Sequence, residues 1–151
     1  MPHRLLATGL CLVALFPALC AAGDCSHDGA IDAKPPFSEV CPGSYTVHGA
    51  IAANADVRIV SRIGAITIEG DIGPGSRVTL RAPNGKITIN GDMGPGTEAC
   101  LMARDGITVT GRVQGKNSKV HWWTWAGARS LRLEGIDPGP PMDAGLCPQT
   151  D

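Results

Sequence analysis

Asp71 and Asp92 stand 21 residues apart, each directly after a glycine. Two carboxylates on neighbouring turns of a repeating chain could hold a calcium ion or share acid and base duties at a glycosidic bond. The chain has no long insertions that would wall a cleft around them. Asp beside a glycine turn commonly hydrogen-bonds its own backbone. Turn formation is therefore the expected role of Asp71 and Asp92, and a small polysaccharide-active enzyme is the alternative. His27, His48 and His121 have no nucleophile placed beside them, so neither a Ser/His/Asp nor a Cys/His arrangement is indicated. Gly73-Pro-Gly-Ser lacks the lysine and following helix of a phosphate-binding loop. No catalytic residue, cofactor site or metal site is expected.

All three tryptophans fall in HWWTW, His121 to Trp125. Strand alternation turns Trp122 inward and leaves His121, Trp123 and Trp125 to be explained. These rings either plug the end of the molecule or form an aromatic surface for a sugar or protein partner. His121, Trp123 and Trp125 are accordingly the candidate partner-binding residues.

The chain opens MPHRLLATGLCLVALFPALCAAGD, with one arginine, an apolar run from Leu5 to Ala22, and small residues before the first acid. That is the layout of a secretory signal peptide. Cleavage after Gly23 fits the small-residue rule best, Pro17 argues against a retained membrane anchor, and Leu19 and Asp24 precede Cys20 and Cys25 where a lipoprotein signal would place a small residue. Removing residues 1–23 takes away Arg4 alone and leaves 12 basic residues against 14 acidic ones. With no long basic run, nucleic acid is not an expected partner.

Four cysteines remain after cleavage: Cys25, Cys41, Cys100 and Cys147. An even number in an exported chain predicts two disulfides. Cys25 and Cys41 can close a small N-terminal loop. Cys100 lies between Ala99 and Leu101, whose side chains face inward, so its own thiol faces out where a C-terminal tail carrying Cys147 can reach it. The expected pairs are Cys25–Cys41 and Cys100–Cys147.

The elements that position these groups are written in a 21-residue period. GAITIEGDIGPGSRVTL, Gly64 to Leu80, returns as GKITINGDMGPGTEACL, Gly85 to Leu101. Gly49, Gly70 and Gly91 share one column, with Gly111 after 20 residues and Gly135 after 24. Before them stand Tyr45-Thr-Val-His, Ile66-Thr-Ile-Glu, Ile87-Thr-Ile-Asn, Ile107-Thr-Val-Thr and Leu131-Arg-Leu-Glu. Each alternates apolar with polar, as a strand with one buried face does. A second strand follows in each repeat, where Val57, Val78, Ala99 and Val120 recur. One such coil cannot bury its own apolar face, so neighbours must stack and share a core. The pattern predicts an all-β chain: a short parallel β-solenoid of four to five coils, each ~4.8 Å above the last. Thr46, Thr67, Thr88 and Thr108 then form an outward ladder, read as ordinary exposed β residues.

GAITIEGDI, APNGKITINGDM and DGITVTGRV resemble the coil motif of bacterial adhesin-like single-stranded β-helix families, over roughly residues 45–136. The resemblance implies an exported bacterial protein and carries no catalytic residue. The expected organisation is a signal peptide over 1–23, an N-terminal cap over 24–44, the solenoid over 45–136 and a tail over 137–151 strapped to its outside. The expected function is that of a non-enzymatic binding or structural module, periplasmic or secreted, whose partner is a protein or glycan of the cell envelope.

Overall fold

A computed structural model describes residues 23–142 and Cys147. The chain is an all-β, parallel solenoid of about five turns. One sheet stacks β1 (Cys25–Asp28), β3 (Tyr45–His48), β5 (Ile66–Ile68), β7 (Lys86–Ile89), β9 (Gly106–Val109) and β11 (Leu131–Arg132). The other stacks β2 (Phe37–Cys41), β4 (Asp56–Ser61), β6 (Arg77–Ala82), β8 (Glu98–Ala103) and β10 (Lys119–Thr124). A third side is a column of single parallel bridges, Ile31, Ile51, Ile72, Met93 and Val113. Among the described residues no helix is long and apolar enough to cross a membrane.

The register is the sequence period made physical. Tyr45 pairs with Ile66, Ile66 with Ile87 and Ile87 with Ile107 in the first sheet. Val57, Val78, Ala99 and Val120 stack in the second. These inward columns and the bridge column form one continuous core, in which Ile59, Ile66, Ile68, Leu80, Ile87, Ile89 and Leu101 are fully buried. The irregular 24-residue step falls between β10 and β11. Its extra residues make a short 3₁₀ turn, Gly127–Ser130.

Residues 24–44, expected as a cap, are themselves the first coil. β1 and β2 pair in register with β3 and β4. The segment caps the core through its side chains instead. His27 lies over Val47 and Glu39 over Ile59, so two inward columns begin with a polar residue. A terminal repeat with a polar outer face is what a solenoid needs at an end. The disulfide Cys25–Cys41, with Cα atoms 6.0 Å apart, ties the first strand of each sheet together.

The glycine column is required by close approach. A Cβ on Gly70 would sit 2.7 Å from the Ala50 nitrogen and from the Gly49 carbonyl carbon and oxygen, all backbone atoms of the coil before. A backbone cannot move aside as a flexible side chain can. Gly70→Ala is expected to cost about 3 kcal/mol, the upper range for overpacking, and to lower the urea midpoint at constant slope. An unchanged midpoint would mean that the coils separate locally at no cost. At the neighbouring turns the reason is different: Gly75 and Gly96 hold φ of 68° and 73°, the left-handed region that follows proline in a type II turn.

Candidate functional site

The Asp column binds backbone, and the backbone belongs to the next coil. Asp71 Oδ1 accepts the Asp92 N–H at 2.8 Å, and Asp92 Oδ1 accepts the Arg112 N–H at 2.7 Å. Asp92 Oδ2 also accepts from Gln114 Nε2 at 3.1 Å. Each carboxylate thus serves as an intercoil clamp at the corner where the strand ladder lapses, rather than as the local turn former that the sequence suggested. One oxygen of Asp71 and both oxygens of Asp92 are engaged in this way. Asp92→Ala is expected to destabilise by about 1.5–3 kcal/mol, the worth of a hydrogen bond to a charged group. Asp92→Asn keeps an acceptor oxygen and is expected to lose less than half of that. Paired denaturation curves measure both, and equal losses would refute the clamp.

A second set of polar contacts escaped the sequence reading. Ser76, Thr97 and Ser118 are buried at 21-residue intervals. Their hydroxyls reach back a coil, Ser76 to the Ala52 carbonyl at 2.8 Å and Ser118 to the Gly94 carbonyl at 3.3 Å. Thr97 donates to the Gly94 carbonyl at 2.7 Å. Their recurrence at the repeat length was the available signal.

The histidines occupy separate places. His27 lies in the first coil with its ring 5.1 Å from that of Phe37, in an edge-on arrangement. His48 is on the outer face of the first sheet and His121 on that of the second. His48 Nδ1 meets Glu69 Oε2 at 2.8 Å, with both side chains nearly half exposed. The hydrogen bond to Glu69 raises the His48 pKa above its ordinary 6.5; partial desolvation opposes this, and the charges of Glu69 and Asp28 add to it. A raised folded-state pKa means that the pair's contribution is fully present below 6.5 and is lost as pH rises through the folded value. At this exposure that contribution is small. Tyr45 is pushed up to about 12, chiefly by burial and then by Glu39, so its phenol stays neutral. Among the described residues no group of three His, Cys, Asp or Glu side chains could hold a metal.

The C-terminal disulfide joins Cys100 to Cys147, with Cα atoms 5.7 Å apart. Both expected disulfide pairs are therefore formed. The outward column through Cys100 runs Ser38, Arg58, Thr79, Cys100, His121. The tail crosses the last coil on its way there: Met142 N–H donates to the Trp122 carbonyl at 2.7 Å. It thereby covers part of the edge of β10, which has a strand partner on one side only.

No family model, curated protein or solved structure matches this chain. Its function has to be read from its own side chains, and the tryptophans divide cleanly. Trp122 faces inward above Leu101, is 1% exposed, and donates its Nε1–H to the carbonyls of Pro138 and Gly139 at 3.2 Å each. It is the plug. Trp123, on the outer face of the second sheet, is half-buried, as is His121. Trp125 is 77% exposed. Of the three candidate partner-binding residues, Trp125 is the one most exposed to solvent, at the turn that follows β10. A separate shallow cavity of about 180 Å³ opens at the first coil between His27, Ile31, Asp32, Lys34 and Phe37.

Proposed function

We propose that the chain is an exported, non-enzymatic β-solenoid that serves as a binding or structural module in the bacterial envelope. The observation that carries this reading is Trp125. The same five-residue stretch buries Trp122 completely and satisfies its N–H, yet leaves Trp125 77% exposed. Tryptophan is enriched where proteins meet their partners, and half-buried Trp123 and His121 lie close by in the same stretch. Two paired disulfides suit an oxidising compartment. The carboxylates that an enzyme acting on polysaccharides would use each accept a backbone N–H of the next coil, a structural use that supports the binding reading.

The test begins with the oxidised mature protein and acrylamide quenching of its tryptophan fluorescence. One readily quenched component, removed by Trp125→Ala, is expected. Envelope glycans and proteins are then screened by fluorescence titration, and Trp125→Ala with Trp123→Ala is expected to abolish binding while leaving the melting curve in place. A ligand retained by the double variant would place the binding surface elsewhere. Glycan cleavage that disappears in Asp71→Asn and Asp92→Asn variants of unchanged fold would replace this reading with the enzymatic one.

A further inference from the structure

Cys41, Ser61, Ala82, Ala103 and Thr124 stack as one buried column of small residues, where each coil turns from the second sheet back to the first. The residues just after this column are exposed along a convex corner that runs the length of the solenoid, while those just before it range from exposed Val40 to buried Met102. The large exposed hydrophobic residues among those described, Val40 at 55%, Ile63 at 63% and Trp125 at 77%, all lie on this one edge. Val40 precedes the column in the first coil, Ile63 follows it in the second, and Trp125 follows it in the last. In the outward positions from one before to two after the column, the charged residues are Arg62, Arg81, Arg104 and Asp105. Three arginines and one acid thus interleave with the apolar tips, and the Trp125 N–H donates to the Arg104 carbonyl at 3.2 Å, setting the two residues side by side on adjacent coils.

We infer that this edge seats the protein on an anionic lipid surface, with Val40, Ile63 and Trp125 entering the headgroup layer and Arg62, Arg81 and Arg104 meeting lipid phosphates. The inference extends the binding reading from a soluble envelope ligand to the membrane itself. Shape and composition select this occupant. A convex ridge can lay all its tips on a plane at once. Isolated aliphatic tips such as Val40 and Ile63 have no face to stack on a sugar ring, but they partition into the acyl boundary. Tryptophan belongs at that boundary, and arginine keeps its guanidinium in the polar layer while its stem lies along apolar groups. The excess of positive charge along the ridge matches an anionic surface, to which each basic residue close by adds attraction that salt screens.

The experiment is co-sedimentation of the oxidised mature protein with vesicles of phosphatidylglycerol and phosphatidylethanolamine, against vesicles of phosphatidylcholine alone. Binding to the anionic vesicles only, weakening as salt rises, is expected, with a blue shift in tryptophan emission that Trp125→Ala removes. Arg62→Gln and Arg104→Gln are each expected to weaken it roughly fivefold. Ile63→Ser is expected to weaken it also, while Arg112→Gln, which removes the same charge from a different corner, leaves it within twofold. Equal sedimentation with both vesicle types, no sedimentation with either, or losses that do not distinguish Arg104 from Arg112 would each overturn the proposal. Binding of an acidic polysaccharide by the same edge without any vesicle binding would also overturn it, while leaving the soluble-ligand reading of Trp125 standing. Melting curves of all variants, altered only at exposed side chains, are expected to superpose and so separate loss of binding from loss of fold.

Discussion

Trp122→Ala is expected to lower the unfolding free energy by about 3–5 kcal/mol, the range for removing a large buried aromatic. The position is the last level of an inward column that begins with Glu39 and continues through Ile59, Leu80 and Leu101. At each inner level a side chain is covered by the coils above and below. At the last level the ring lies directly on Leu101, with the tail over it and Leu131, Leu133 and Ile136 also packed against the core. Removing the ring therefore opens the core to solvent at its C-terminal end, and it leaves the carbonyls of Pro138 and Gly139 without the Nε1–H that both accept. Trp122→Phe preserves most of the apolar volume and is expected to cost about 1 kcal/mol, the net worth of a neutral hydrogen bond. Trp125→Ala, at an exposed site, is expected within about 0.5 kcal/mol of the parent. Urea denaturation of the three variants checks the order. If Trp122→Ala cost no more than Trp125→Ala, the tail alone would be closing the end.

This column also shows how much of the fold was legible beforehand and where legibility stopped. Ile66, Ile87 and Ile107 announce themselves because the buried face of a stacked coil selects the same residue type at each level, and the repeat length converts directly into register. The first coil hid for the same reason in reverse. Among its inward positions, His27 and Glu39 are polar and break the apolar alternation, because a terminal level faces solvent on one side. The sequence therefore reads as a cap where the backbone builds a coil. Asp71 and Asp92 were visible as a column, but their partners are N–H groups 20 or 21 residues onward, and no residue type marks a donor that every residue carries. Cys100 could be aimed outward because its neighbours Ala99 and Leu101 were already placed inward. The convex edge needed one thing more than alternation. Val40, Ile63 and Trp125 are far apart in sequence and out of step with the 21-residue period, so they join only once the corner column is located.

Replacing Cys100 and Cys147 together with Ser is expected to have the other large effect. Their loop spans 47 residues, and the chain-entropy relation gives about 4 kcal/mol for closing it, against about 3 kcal/mol for the 16-residue loop of Cys25–Cys41. Loop length is not the whole difference. Cys25 and Cys41 sit on strands that also pair with the second coil, so the first coil has hydrogen bonds to keep it in register when that disulfide is gone. Among the described residues, the tail is anchored by the Met142 N–H to the Trp122 carbonyl and by the two acceptors for the Trp122 indole. Freed of the Cys100 link, it can lift away and expose the plug. The Cys100/Cys147 variant should therefore show a second readily quenched tryptophan in addition to Trp125, and early proteolytic cuts after residue 136, whereas the Cys25/Cys41 variant should lose stability without gaining either. A Cys100/Cys147 variant that melted lower yet kept Trp122 unquenched would mean that the ring plugs the solenoid by itself. The disulfide would then act on the unfolded chain alone, and the tail would have no part in closing the core.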